Sequence, residues 1–184
     1  MAKRPHQDWV DGALPLLSNG GIDAVRIEPL AKQLGVSKGS FYWHFENRAA
    51  LLQSLLQQWE QLGTSAIIEL VERQGSDPTS QLRALAEASC TADPVANAVE
   101  VGVRTWGQTD PVAAEAVARV DKRRLDYVTR LLVSAGLPRP LARRRTLLFY
   151  RMIIGATTWQ LAGGPAPSST ELDEITEQLL SPTH

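Results

Sequence analysis

Apolar residues recur at intervals of three and four along almost the whole chain, and no segment alternates with period two. The first such stripe lies in a helix predicted from about Gln7 to Ser18, and its buried members are Trp9, Val10, Ala13, Leu14 and Leu17. Asn19-Gly20-Gly21 ends this helix. Pro15 removes one backbone hydrogen bond in its interior and should bend it. The pattern predicts an all-α protein.

Two short helices follow, joined by a tight glycine turn. The first begins near Arg26 and ends at Gly35, and the second runs from Ser37 to Phe45, with Ser37 as its N-cap. This is the arrangement of a helix-turn-helix. Asn47 then caps a fourth helix that extends to about Gln74, roughly 40 Å at 1.5 Å per residue.

The remainder of the chain predicts further helices between clusters of glycine and proline. They lie near 79–91, 94–106, 111–135, 138–162 and 170–180. The last two carry apolar stripes that exceed what one helical pair can cover: Met152, Ile153, Ala156 and Trp159, then Leu172, Ile175, Leu179 and Leu180. These stripes predict pairing with a second copy in a four-helix bundle.

The helix from Ser37 to Phe45 crowds four aromatic rings and a histidine into five positions. Phe41 and Phe45, four residues apart, are expected in the core of the small domain. That leaves Tyr42, Trp43 and His44 facing outward. The alternative, in which every ring is core, is disfavoured by the crowding. Such an exposed cluster suits insertion into the major groove of DNA.

Composition agrees with a compact protein of one or two domains. The chain has 184 residues, 43% of them hydrophobic, with a net charge of −1 and a pI near 6.3. The nearly neutral net charge argues against a protein that coats nucleic acid indiscriminately, although lysine and arginine residues cluster in the first fifty positions. Lys3 and Arg4 are either a frayed tail or an arm that touches phosphate. Without a long apolar run or a signal segment, the chain is expected in the cytoplasm and not in a membrane.

Enzymatic and metal chemistry find no support in the residue pattern. His6, His44 and His184 lack ligand spacing to one another or to Cys90, so no metal is expected. There is no phosphate-binding glycine loop and no nucleophile elbow, so no catalytic residue or cofactor is expected. Cys90 is read as a small buried packing residue.

One run of residues resembles a known family. Gly35 to Arg48, followed by Ala50-Leu51-Leu52, closely resembles the signature of the TetR-type bacterial transcriptional regulators. The resemblance implies an N-terminal three-helix helix-turn-helix DNA-binding domain, residues 1–48, joined by a long helix to a C-terminal helical ligand-binding and dimerisation domain, residues 49–184. It further implies a homodimer that binds a double-stranded operator and represses transcription until a small-molecule effector binds. A fold-sharing module that does not use DNA is the main alternative, and a helical enzyme is a more distant one.

The resemblance assigns DNA contacts to the matching positions Arg26, Ser37, Lys38, Gly39, Ser40, Tyr42, Trp43, His44 and Arg48. Lys38 and Arg48 would supply charge for phosphate, and Gly39 would allow close approach to the groove. Glu28 and Pro29 depart from the commoner pattern. A glutamate near phosphate opposes binding unless Arg26 or Lys32 neutralises it.

Large side chains in the C-terminal part are candidates for an effector pocket. They are Trp59, Arg104, Trp106, Tyr127 and Phe149. For each aromatic residue taken singly, core or dimer interface is favoured, and a solvated helix face is slightly favoured for Arg104. The basic runs 122–124 and 143–145 are expected to be solvated or salt-bridged surface.

Overall fold

The computed structural model describes residues 5–90 and 93–181, and all regular secondary structure in those ranges is helical. The α-helices are α1 His6–Gly20, α2 Ile27–Gln33, α3 Lys38–Phe41, α4 Arg48–Glu60, α5 Ala66–Arg73, α6 Pro78–Cys90, α7 Pro94–Trp106, α8 Pro111–Ser134, α9 Arg139–Leu161 and α10 Ser169–Leu180. A 3₁₀ turn covers Ile22–Ala24 and a π-helical segment covers Gln61–Ser65. The predicted all-α class is confirmed.

The chain forms two compact units. The first comprises the chain up to Gly63 together with Ala98–Val117, and the second comprises Thr64–Asn97 and the chain from Ala118 onwards. In the first unit α1 packs against α2 and α4. Its core includes the predicted stripe of α1, except that Leu14 is only half-buried.

Helix α1 continues through Pro15 and ends where the sequence predicts. Gly21 has a φ of 67°, and its N–H donates to the carbonyl of Leu17 at 2.9 Å. Glycine adopts this left-handed conformation without the steric cost that a Cβ would impose. The predicted glycine stop is confirmed.

The prediction of one continuous helix from Asn47 to Gln74 is wrong in the middle of that range. The structure has α4, the π-helical segment Gln61–Ser65 and α5 in succession. The hydroxyls of Thr64 and Ser65 are buried and accept hydrogen bonds from Arg124 Nε at 2.9 Å and Arg123 Nη1 at 2.8 Å. These contacts stabilise the wider turn.

The basic run 122–124 is therefore more than a solvated or salt-bridged surface. Lys122 pairs with Asp126 at 2.6 Å, as expected of a salt-bridged face. Arg123 and Arg124 instead bind the two hydroxyls of the π-helical segment. In the second run, Arg145 Nη1 donates to the carbonyl of Leu179 near the end of α10, at 2.7 Å.

The second unit is centred on α6, which packs against α5, α9 and α10. Its core cluster includes Leu82, Leu132, Phe149, Leu172 and Leu179. Helix α10 starts in a capping box, in which Ser168 and Glu171 satisfy one another's backbone N–H groups. Cys90 is buried in this core, and burial raises the pKa of its thiol to about 11. Its predicted packing role is confirmed.

Candidate DNA-binding surface and effector residues

The turn between α2 and α3 is built around one glycine. Gly35 has a φ of 69°, and the next residue, Val36, donates its N–H to the carbonyl of Ala31 at 3.0 Å. Ser37 occupies the N-cap position with extended backbone, although its side chain makes no capping hydrogen bond. The predicted helix-turn-helix is thus present.

Helix α3 is shorter than the predicted Ser37 to Phe45. It ends at Phe41, and residues 42–44 form a turn. The Phe41 carbonyl accepts from both His44 N–H at 2.9 Å and Phe45 N–H at 3.0 Å. This shared acceptor tightens the chain before Asn47, whose side chain caps α4 by accepting from Ala50 N–H at 3.0 Å. The predicted Asn47 cap is confirmed.

The aromatic side chains divide largely as their spacing predicts. Phe41 and Phe45 are buried and stacked, with ring centroids 5.2 Å apart, and Trp9 meets Phe41 edge-on at 5.3 Å. Tyr42 and Trp43 are 54% and 79% exposed. A surface aromatic pair of this size is available to a partner.

His44 does not belong to the outward set as predicted. Its side chain is half-buried, and Nε2 is buried without a hydrogen-bond partner among the described residues. Residues 42–44 form the turn after α3, and in this turn the ring tip of His44 faces the interior. The DNA contact assigned to His44 stays a prediction. It requires that DNA can reach either the ring or the backbone of His44.

Lys38 and Glu28 form an ion pair on the outer side of α2 and α3. Lys38 Nζ lies 2.7 Å from Glu28 Oε1, and the side chains are 52% and 71% exposed. The hydrogen bond and the positive charge of Lys38 lower the pKa of Glu28, and Glu28 raises the pKa of Lys38. Arg26 and Lys32 were the expected neutralising partners of Glu28, but Lys38 fills that role.

Arg48 ties α4 to the 3₁₀ turn. Its Nε donates to the carbonyl of Val25 and its Nη2 to the carbonyl of Ile22, both at 2.6 Å. Two of its five N–H donors are thereby committed to the fold, which the phosphate assignment did not anticipate. A phosphate contact through the remaining donors stays a prediction.

The other assigned positions lie on the same part of the chain. Arg26, Ser37 and Gly39 are exposed and Ser40 is half-buried. Among the described residues, a Cβ placed on Gly39 would meet only Ser37 Oγ, at 3.7 Å, so their packing does not require glycine there. The arm formed by Lys3 and Arg4 falls outside the described residues.

Three effector candidates belong to the first unit. Trp59 and Trp106 are buried, and Trp59 Nε1 donates to Glu100 Oε2 at 2.8 Å. Arg104 Nε donates to Glu100 Oε1 at 2.7 Å, and the Arg104 side chain is only 20% exposed. The solvated helix face favoured for Arg104 is therefore wrong, because Glu100 one turn earlier holds it. Sequence reasoning missed Glu100, although its spacing of four from Arg104 was a signal.

The other two candidates, Tyr127 and Phe149, lie in the core cluster of the second unit. The Tyr127 hydroxyl is buried without a hydrogen-bond partner among the described residues, and burial raises its pKa. The guanidinium of Arg130 lies 5.5 Å from the ring centroid. The five candidates thus divide between two units, and their effector role stays a prediction.

The predicted dimer stripes need a correction in both helices, since Met152 and Ile153 of α9 pack partly against the core cluster of their own unit. Leu172 and Leu179 are buried in the core of their own unit, and Ile175 and Leu180 pack partly against it. Helix α9 keeps an exposed apolar face, since Leu148 and Trp159 are 64% and 60% exposed. Gly155 lies between them on the same face, and no atom of the described part of the chain lies within 4 Å of a Cβ placed there.

No helix in the described ranges is both long and apolar enough to cross a membrane. Nor do those ranges bring together three or more His, Cys, Asp or Glu side chains that could hold a metal ion.

The region that contains the helix-turn-helix is similar to known proteins. A family model described as "Bacterial regulatory proteins, tetR family" matches residues 10–55. Tetracycline repressor protein class D of Escherichia coli is 40% identical over 55 residues, 30% of this chain and 25% of that protein. Tetracycline repressor protein class C of Escherichia coli is 27% identical over 176 residues, 96% of this chain and 75% of that protein. The match at 40% identity thus spans about a quarter of the length of the class D repressor.

Solved structures share the fold over nearly the whole chain. A transcriptional regulator from Rhodococcus sp. Rha1 superposes with a TM-score of 0.78 at 19% identity, covering 96% of this chain and 94% of that one. FadR from Bacillus subtilis, solved with stearoyl-CoA, has a TM-score of 0.72 at 18% identity, covering 98% and 100%. Residues 10–55 thus match the TetR family of bacterial regulatory proteins, and the chain as a whole shares the helical fold of these solved transcriptional regulators.

Proposed function

We propose that this protein is a dimeric, sequence-specific repressor whose operator is released when a small-molecule effector binds. The observation that carries the proposal is the division of rings in and after α3. Phe41 and Phe45 anchor the segment in the core, while Tyr42 and Trp43 face outward. Anchoring fixes the outward side chains at little further entropic cost when they meet base edges and phosphates in the major groove. The proposed contacts are Arg26, Ser37, Lys38, Gly39, Ser40, Tyr42, Trp43, His44 and Arg48.

DNA binding and effector binding are assigned to different parts of the chain in this proposal. Residues 1–48 bind DNA, and residues 49–184 bind the effector and dimerise. The exposed face of α9, with Leu148, Gly155 and Trp159, supports the dimer because large apolar side chains clustered on a surface favour a partner. A two-fold dimer would present two recognition segments to half-sites about 34 Å, one DNA turn, apart.

The effector is proposed to bind near some of Trp59, Arg104, Trp106, Tyr127 and Phe149. The hydroxyl of Tyr127, which is buried and has no hydrogen-bond partner among the described residues, supports this, since such a group gains a hydrogen bond from a ligand acceptor. FadR from Bacillus subtilis was solved with stearoyl-CoA, and AibR with isovaleryl coenzyme A and operator DNA. Acyl-CoA thioesters are therefore the first compounds to test. A cytoplasmic location accords with such partners.

The deciding experiment is selection of bound sites from a random DNA pool at moderate salt, repeated with acyl-CoA thioesters. The wild-type protein should enrich a symmetric motif, and Tyr42→Ala should lose that enrichment because Tyr42 projects from the proposed surface. Lys38→Ala should weaken the enrichment because it removes a proposed DNA contact, and Lys122→Ala is its matched control, since Lys122 is an exposed, ion-paired lysine of the second unit. Absence of any enriched motif would refute sequence-specific binding.

Dimerisation has its own test. Trp159→Glu places a charge on the exposed α9 face without disturbing a buried core, because the ring is largely exposed. We expect monomers in sedimentation velocity and weaker binding to symmetric sites. A variant that stays dimeric would show that the interface lies elsewhere.

A further inference from the structure

Glu28 and Lys38 form a charge pair on the two helices of the proposed DNA-binding motif. Glu28 lies in the first turn of α2, and Lys38 is the first residue of α3. Their side chains meet at 2.7 Å although each is more than half exposed. A glutamate and a lysine are both charged at physiological pH, and each partner here shifts the other's pKa further toward the charged form.

The pair lies beside the outward aromatic cluster. Tyr42 lies one turn after Lys38 along the chain, is itself exposed, and makes a small contribution to the raised pKa of Lys38. Any DNA contacted by Tyr42 therefore meets a carboxylate and an ammonium together. The sequence reasoning treated Lys38 as a phosphate contact and Glu28 as an obstacle.

A paired carboxylate and ammonium suit a base edge better than a phosphate. Phosphate offers only acceptors and negative charge, so it repels Glu28 and must compete with it for Lys38. In the major groove, guanine offers the O6 and N7 acceptors, while its cytosine partner offers the N4 amino donor. One G·C base pair thus presents acceptors to a lysine and a donor to a glutamate.

We propose that Glu28 and Lys38 act together to read one G·C base pair in each operator half-site. The Lys38 ammonium donates to guanine O6 or N7, and the Glu28 carboxylate accepts from cytosine N4. Glu28 thereby becomes a specificity-determining residue. This inference rests on the proposed sequence-specific DNA binding and narrows it to a base-pair class.

The test is selection from a random DNA pool with wild type, Glu28→Gln, Lys38→Gln and Glu69→Gln. Glu69→Gln is the matched control, because it removes the same charge from another exposed ion pair, Glu69–Arg73, in the second unit. Glu28→Gln keeps the size of the side chain at an exposed site, so the fold should be retained, which circular dichroism checks.

Wild type and E69Q should select the same motif, with G·C at one position of each half-site. E28Q and K38Q should both lose discrimination at that position, by roughly tenfold, while preferences elsewhere persist. Non-specific DNA should bind E28Q at least as tightly as wild type, since a negative charge has been removed.

Two results would overturn the inference while sequence-specific binding stands. In one, E28Q keeps wild-type base frequencies at every position. In the other, it weakens all sites equally, which would mark a general effect on affinity. If wild type selects no motif at all, both this inference and the proposed function fail.

Discussion

Replacing Arg48 separates two roles that the side chain could serve. The resemblance assigns it to phosphate, whereas the structure commits Nε and Nη2 to the carbonyls of Val25 and Ile22 at 2.6 Å. Arg48→Gln should therefore destabilise the first unit before any DNA is present. A loss of DNA affinity in this variant would then be partly a consequence of folding.

The expected magnitude follows from the two hydrogen bonds. A bond from a charged donor contributes about 1.5–3 kcal/mol. The Ile22 carbonyl also accepts from Val25 N–H at 3.2 Å, so it keeps one partner in the variant. Arg48 is half-buried, so water replaces part of what is lost. We expect the free energy of unfolding to fall by about 2–3 kcal/mol in total, and Tm by about 4–10 °C for a chain of this size.

The assay is urea unfolding followed by tryptophan fluorescence and circular dichroism, with thermal melting in parallel. Arg26→Gln is the control, because Arg26 is exposed and carries the same charge in the same domain. It should lose DNA affinity with little change in stability. Arg48→Lys should also be destabilised, since one ammonium cannot reproduce the two directed N–H donors of the guanidinium.

The reasoning is refuted if R48Q unfolds at the wild-type midpoint with an unchanged slope. If it also loses DNA affinity to the same extent as R26Q, the resemblance-based phosphate role would account for the residue by itself. Salt titration gives an independent measure, since loss of one phosphate contact lowers the salt slope by about one.

Three further predictions concern the core and its buried polar groups. Phe41→Ala should lower the free energy of unfolding by about 3–5 kcal/mol in urea titrations, whereas Trp43→Ala should change it by less than about 0.5 kcal/mol; equal effects would contradict the assigned burial. Burial raises the pKa of the Cys90 thiol to about 11 from 9.0, so its stabilising contribution is complete below pH 9 and is lost as the pH rises toward 11. The folded thiol should accordingly resist disulfide reagents at pH 8 and react in concentrated guanidinium, and rapid labelling of folded protein would refute this. Glu100→Leu should cost about 3–5 kcal/mol because the Glu100 carboxylate accepts hydrogen bonds from both Arg104 and Trp59, and adding Arg104→Met should recover part of that loss; a double variant less stable than the single would contradict the ion-pair account.

The spacing of residues along the chain correctly predicted those features that depend only on neighbouring residues. Phe41 and Phe45 are four residues apart, so a single turn brings both rings to the core whether the segment is a full helix or a short one. Gly21 and Gly35 mark helix ends because a left-handed residue is needed there. These features could be recognised from the residues alone.

The features that sequence reasoning missed depend on partners far along the chain. The π-helical segment is held by Arg123 and Arg124, about sixty residues after Thr64 and Ser65. Apolar periodicity shows that a face of α10 is buried but not whether its own chain or a second copy buries it. Leu172 and Leu179 were assigned to the dimer for that reason, whereas their own core covers them.

The exposure of the five tryptophans gives the protein its own optical reporters. Trp9, Trp59 and Trp106 are buried, so collisional quenchers such as acrylamide will reach them slowly. Trp43 and Trp159 are exposed, one on the proposed DNA surface and the other on the α9 face. Quenching should therefore be shielded at Trp43 by operator DNA and at Trp159 by self-association, and single replacements by phenylalanine would resolve the two events without an attached dye.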